Sequence, residues 1–309
     1  LGIHYKEIAS VPVGYEKTVE MYSLDFEEFL WAIGKNEQAI AALKEYFDKK
    51  EKVSPGIHEQ FMGLLREYLV VGGMPEAVNT LLKTNNYQEV FAVQKKILDS
   101  YKDDIQRYAS SHERQKISDC YNSIPRQLAK EYTKFQYKTV SREGSARRYE
   151  NCLNWLVDAG MIKMCVNVST PLFPLVAYEK PEQFKVYVTD IGLLTSLYGY
   201  DTQTALIKDT LTGPAKGGIY ENLVFDMLIK RGFSLNYFKN DSNTQEIEFI
   251  YQRDGNVIPI EVKSKNGATL SLNNFIKNYK PTFAYKLISG NVGVSDTKIT
   301  LPLYMAMFI

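Results

Sequence analysis

One short stretch has the residue types and spacing for phosphodiester chemistry. Between Gln245 and Lys263 the chain reads QEIEFIYQRDGNVIPIEVK, with carboxylates at Glu246, Glu248 and Glu261 and an ammonium at Lys263. Cleaving a phosphodiester needs a hard cation held by oxygens, a polarised water and a positive group beside the developing charge. In this reading Glu221, Glu248 and Glu261 hold Mg²⁺. Lys263 is the catalytic cation, which stabilises negative charge or orients the attacking water. Carboxylates clustered without a cation would repel one another, and at least one pKa would rise. A plainer reading also stands, in which each strand carries an ordinary solvated charged face.

Two strands and one helix must position these groups. The pair Asp254-Gly255, followed by Asn256, is turn chemistry between two apolar runs. Side chains alternate along a strand, so Glu246, Glu248 and Ile250 are expected on one face and Ile247, Phe249 and Tyr251 on the other. By the same rule Glu261 and Lys263 share a face, opposite Ile258, Ile260 and Val262. The turn then brings Glu248 beside Glu261. A helix from about Gly218 to Arg231 carries Glu221 in its first turn. Further strands are expected at Leu235–Phe238 and Thr282–Ser289, with a helix near Leu272–Tyr279 between the motif and the last of these. Helix, three strands, helix and strand make an α/β layer within a mixed α+β chain.

Upstream, the pattern is helical. Asp25–Ile33, Ala39–Phe47, Gln60–Val70 and Tyr87–Tyr108 show apolar residues at helical spacing. The string VVGGMPEAV reads as a corner between helices, with Gly72-Gly73 turning and Pro75 opening the next helix. From Arg114 the character changes. Helices over Arg114–Asn122 and Ile124–Tyr132 lead to a helix capped by Ser145, with Tyr149, Cys152, Leu153, Leu156 and Val157 inside. Two strands follow, Met161–Val168 and Lys185–Thr189. Short helices followed by a hairpin are the order of a winged helix, whose recognition helix presents its N-terminal residues to nucleic acid. Arg147, Arg148 and Asn151 are the right types for phosphate and base-edge contacts. A protein-docking winged helix is the alternative. Asp190 is expected to cap the helix Ile191–Tyr198, and residues 199–213 to be a polar connection.

Composition narrows the partners. The net charge of 309 residues is +1, so no global field selects a polyanion. The basic excess is local: residues 1–100 carry 11 basic and 15 acidic side chains, and residues 101–150 carry 11 and 7. Cys120, Cys152 and Cys165 fit neither a disulfide framework nor a zinc site, and His4, His58 and His112 are scattered. With no apolar run of membrane length and no leader pattern, a reducing cytoplasm and no membrane are expected.

The segments PVGYEKTVEMYSLDFEEFLWA, YLVVGGMPEAV, SARRYENCLNWLVDAGMI, FKVYVTDIGLL, GGIYENLVFDMLIKRG and EIEFI…IPIEVKS resemble the AAA-type ATP-binding proteins of bacteria and archaea. The C-terminal half of those proteins joins a winged helix to a PD-(D/E)xK nuclease-like domain. The resemblance implies three parts: residues 1–100 as the end of the ATPase core and its helical lid, 101–200 as the winged helix, and 201–309 as the restriction-endonuclease-like α/β domain. It matches Glu221 to the helix acid, Glu248 to the strand acid, and Glu261 and Lys263 to the Glu-x-Lys. The chain departs at Glu248, where aspartate is usual; the extra methylene would shift a cation. No GxxxxGK[ST] phosphate loop occurs, so ATP would enter only through a core that this sequence lacks. DNA or a protein is the implied partner.

Overall fold

The computed structural model describes residues 19–130, 134–240, 242, 244–264 and 269–309. The start of the segment expected to be the end of an ATPase core falls largely outside them. The first helices pack as expected. Helix α1 (Phe26–Ala32) is held by a capping box in which Asp25 accepts from Glu28 N–H and Glu28 accepts from Asp25 N–H. Helices α2 (Glu37–Lys49), α3 (Pro55–Val71), α4 (Pro75–Thr84) and α5 (Tyr87–Tyr108) follow. The corner between α3 and α4 is close-packed: a Cβ on Gly73 would lie 1.9 Å from the Leu24 carbonyl oxygen, so only glycine fits.

The middle of the chain gives α6 (Arg114–Leu128), α7 (Tyr137–Val140) and α8 (Ala146–Asp158). Two helices were expected where α6 runs unbroken through Pro125. The proline lies near the C-terminal end, where few backbone bonds remain to be lost, and burial of Ile124 and Leu128 carries the helix on. Ser145 occupies the cap position of α8, but its side chain makes no capping bond. Next come β1 (Ile162–Val168), β2 (Glu179–Val188), α9 (Ile191–Tyr198) and α10 (Tyr200–Ile207). Helix α10 corrects the expected polar connection. Gln203 and Leu206 are buried there, and Gln203 donates to the Val70 carbonyl and to Gln94.

The remainder is α11 (Pro214–Lys230), β3 (Asn236–Lys239), β4 (Glu246–Arg253), β5 (Asn256–Val262), α12 (Leu270–Tyr279), β6 (Ala284–Ile288), β7 (Gly293–Ser295) and β8 (Lys298–Pro302). The fold is mixed α+β, with one eight-stranded sheet in the order β2-β1-β3-β4-β5-β6-β8-β7. Strand β1 pairs in parallel with β3, so the hairpin expected as a wing extends the sheet that carries the carboxylates. Strands from both sides of residue 200 thus share one sheet. The C-terminal turn returns to the first helices: Tyr304 meets Phe61 and His58, and Phe308 meets Phe47.

Helix α11 starts earlier than expected, at Pro214, after Gly213 at φ 81°. Glu221 is therefore two turns into the helix and away from its positive end. A Cβ on Gly218 would lie 2.1 Å from the Leu128 carbonyl oxygen, so α11 and α6 touch backbone to backbone. On the sheet side, Tyr187, Phe225 and Phe249 form an aromatic cluster with centroid separations of 4.2, 5.7 and 5.8 Å. At its C-terminal end α11 holds a strap. Lys230 Nζ lies 2.8 Å from Asp226, 3.0 Å from Ser23 Oγ and 3.2 Å from the Leu24 carbonyl. Ser23 donates to Asp190, which also accepts from Gly73 N–H and caps α9 through Leu193 N–H. Asp190 is thus the helix cap expected from the sequence and a tie across the molecule.

Candidate functional site

Strict alternation fails along β4. Ile247 and Ile250 belong to the small core against α12, whereas Phe249 and Tyr251 belong to the main core with α11. The cause is an irregularity against β3, where Asn236 pairs with Ile250 but Phe238 pairs with Ile247. Two steps on β3 span three on β4, which shifts side chains between faces. The expected grouping of Glu246, Glu248 and Ile250 is therefore corrected at Ile250, and that of Ile247, Phe249 and Tyr251 at Ile247. The regular β4–β5 ladder runs from Arg253–Asn256 to Phe249–Ile260. Just beyond it, Glu248 Oε2 accepts from Val262 N–H at 3.4 Å.

Lys263 links the two strand acids. Its Nζ lies 2.7 Å from Glu248 Oε1 and 3.9 Å from Glu261 Oε1. The turn therefore brings Glu248, Glu261 and Lys263 together as the sequence implied. Glu261 is 1% exposed, and its Oε2 has no hydrogen-bond partner among the described residues. Burial, and then the neighbouring charge of Glu248, push its carboxyl up to about 7. Burial also raises Glu248, against the pull of Lys263. On the next strand, Lys286 stands opposite Glu261 in register, and burial lowers its pKa.

Glu221 is committed elsewhere. Lys185 Nζ, on β2, lies 2.8 Å from Glu221 Oε1 and 2.8 Å from Glu246 Oε1. The Tyr187 hydroxyl also donates to Glu221 Oε1. Glu246 reaches Lys239 through its other oxygen at 3.1 Å. Lys185 is 1% exposed, and its ammonium lies 5.0 Å from the centre of the Tyr237 ring. Burial works against its charge, yet Glu221 and Glu246 hold its pKa above the usual range. The same two lysines hold Glu246 below the usual carboxylate range despite its burial. The cluster thus sets four carboxylates, Glu221, Glu246, Glu248 and Glu261, among four lysines, Lys185, Lys239, Lys263 and Lys286.

This donor set suits a metal poorly. A divalent cation bound by carboxylates needs oxygens that are not already neutralised. Among the described residues, Glu261 Oε2 is an oxygen of this cluster with no hydrogen-bond partner, while Glu221, Glu246 and Glu248 each pair with a lysine. Among the described residues, no group of three acidic, histidine or cysteine side chains is placed to hold a metal ion.

Sequence reasoning passed over Lys185 and Tyr187. The signal was present in FKVYV, residues 184–188, where a lysine and a tyrosine alternate with apolar residues. A lysine inside such a run must be paired if it is buried. Which acid pairs with it could not be read, because β2 lies three strands from β4.

Arg147, Arg148 and Asn151 lie apart from this cluster, on α8. All three are exposed with Asn154 on its outer face, while Tyr149, Cys152, Leu153 and Leu156 are buried. Arg148 pairs with exposed Glu143 at 3.4 Å.

Two family models match. Residues 62–204 match a domain of unknown function (DUF8612), and residues 216–304 match another (DUF4143). No curated protein and no solved structure matches the chain. Among the described residues, no helix is long and apolar enough to cross a membrane.

Proposed function

We propose that this chain is a non-catalytic interaction module of an AAA-type ATP-binding protein, with its nuclease-like sheet serving as a scaffold. The placement of Lys185 carries this reading. A protein ammonium pairs with Glu221, one of the three acids expected to hold the metal, and ties it to Glu246, which was not among them. A lysine buried to this depth costs several kcal/mol unless it is paired, so the acids that pair with it are spent on the fold. The match of residues 216–304 supports the link to AAA-type proteins, because that domain is often found in their C-terminal regions. The test is cleavage of single- and double-stranded DNA and RNA in Mg²⁺ and Mn²⁺ by wild type, Glu261→Ala and Lys263→Ala. The scaffold reading expects equal, background rates from all three. Metal-dependent cleavage by wild type that both variants abolish would overturn it.

A specific observation favours nucleic acid as the partner. The outer face of α8 offers Arg147, Arg148, Asn151 and Asn154 to solvent in the basic part of the chain. Arg148 gives up little by leaving Glu143, since exposed ion pairs are worth at most about 1 kcal/mol. Fluorescence anisotropy with labelled duplex DNA should show binding that weakens steeply with salt. Arg147→Ala and Arg148→Ala should each reduce the salt slope by about 1. No binding at low salt would leave a protein as the partner.

A further inference from the structure

The geometry points to a binding site for a phosphate monoester of a small organic molecule, in a hollow between the end of α11 and the end of β4. The hollow holds about 340 Å³ and takes its walls from residues 231–234 and 251–253. Ligand pockets begin at about 300 Å³, so there is room for an organic group as well as its phosphate. The lining selects an anion. Arg231 and Arg253 both line the hollow, and no acidic side chain does. Gln252 commits its amide oxygen to Leu175 N–H at 3.0 Å, which leaves its amide N–H groups as donors. Ser234 adds an exposed hydroxyl. The last carbonyls of α11 do not compete for the arginines. Arg231 and Phe233 N–H bond the Leu228 carbonyl, and Gly232 N–H bonds the Ile229 carbonyl, at 2.8 to 3.2 Å.

The two guanidinium groups select a dianion over a monoanion. Arg253 is exposed, yet two rings hold it: its guanidinium carbon lies 5.2 Å from the centre of the Phe233 ring and 5.5 Å from that of Tyr251. The rings themselves meet edge to face at 5.0 Å. A guanidinium resting on rings keeps its N–H edges for an anion and has less side-chain freedom to lose on binding. Among the described residues Arg253 forms no ion pair, with its neighbour Asp254 or any other acid. Arg231 has one acidic partner, Glu27, at 3.7 Å, with the two side chains 34% and 26% exposed. A long, solvated pair of this kind yields readily to the bidentate grip of a guanidinium on phosphate. Half-buried Phe233 gives the esterified group an apolar surface. The hollow shares no residue with the carboxylate cluster or the outer face of α8, so the inference stands independently of the functional reading above.

The probe is phenyl phosphate, followed by heteronuclear NMR titration of the whole chain at about 0.15 M salt and compared with phenyl sulfate and inorganic phosphate. Phenyl sulfate keeps the shape with one charge fewer, and inorganic phosphate keeps the charge without the organic group. At about pH 8, saturable shifts should appear at residues 231–234 and 251–253, with phenyl phosphate binding about tenfold more tightly than either comparison ion. At about pH 5 the ester, whose second pKa lies near about 6, is a monoanion, and its preference over the sulfate should vanish. Arg253→Lys keeps the charge but not the fork, and should weaken phenyl phosphate about tenfold, as should Arg231→Gln. Ser234→Trp fills the hollow from an exposed position and should abolish binding of all three. Absence of saturable shifts at millimolar probe would overturn the proposal. So would equal affinity for phosphate and sulfate esters at pH 8, inorganic phosphate binding as tightly as the ester, or affinity unchanged in the three variants.

Discussion

Helix α11 anchors two buried charge clusters that differ in what surrounds the lysine. At its C-terminal end, Lys230 meets one carboxylate, Asp226, and otherwise neutral oxygens from Ser23, Leu24 and Tyr68. Near its middle, Glu221 meets Lys185 in a field of four acids and four lysines, and Lys263 is 37% exposed at the edge. The first cluster is closed. Its polar atoms fasten residues 23–24 to α3, α9 and α11, and Gly73 leaves no room for anything else. Neither cluster is fully hydrogen-bonded, since Asp226 Oδ2 in the first, which faces Lys230, and Glu261 Oε2 in the second both lack a hydrogen bond; the second is charge-balanced and opens to solvent at Lys263. A buried ion pair surrounded by neutral oxygens is a structural joint. A cluster of alternating charges with an exposed rim stays within reach of solvent and ions.

Removing the two lysines should separate the clusters most sharply. Lys230→Met should cost about 3–5 kcal/mol in urea denaturation, because Asp226 is left buried without its partner and must take up a proton to stay there. Lys185→Met should cost a similar amount alone, but Mn²⁺ should recover part of it by entering between Glu221 and Glu246. Mn²⁺ should give Lys230→Met nothing. Equal Mn²⁺ response in both variants would remove the distinction between them.

Glu261 gives a smaller, pH-dependent effect, and Asp226, which burial pushes up to about 7, shares its direction. The folded pKa of Glu261, raised from 4.5 to about 7, means that the folded state holds the proton more tightly than the unfolded chain. The contribution of this group is therefore fully present below about pH 4.5, declines as pH rises toward 7 and stays lost above. Glu261→Gln should be nearly neutral at pH 5 and stabilising by about 1–3 kcal/mol at pH 8 in thermal unfolding. A stabilisation independent of pH would show that Glu261 is already paired. The smallest effect is on the surface: Arg148→Ala should change stability by less than about 0.5 kcal/mol, whatever it does to a partner.

Much of this site was legible in the residues themselves. The Asp254-Gly255 turn fixed the pairing of β4 with β5, and so the approach of Glu248, Glu261 and Lys263, because a tight turn leaves little freedom of register. The inward stripe of α8 and the cap at Asp190 follow equally from local patterns. What escaped was non-local. The irregularity in β4 depends on its pairing with β3, so a rule of strict alternation misplaced Ile250. Helix α10 forms because Gln203 finds carbonyl and amide partners on α3 and α5, and nothing in its own sequence announces them.

The sequence by itself determined that three acids and a lysine lie near one turn, that the early helices are amphipathic, and that α8 presents two arginines to solvent. Only the tertiary structure decided which charges the acids pair with. It did so by running β2 into the same sheet and placing Lys185 between Glu221 and Glu246. The physical reason is range. Turns, caps and periodicity act within a few residues, whereas the worth of a buried charge is set by whichever opposite charge the fold delivers to within about 3 Å.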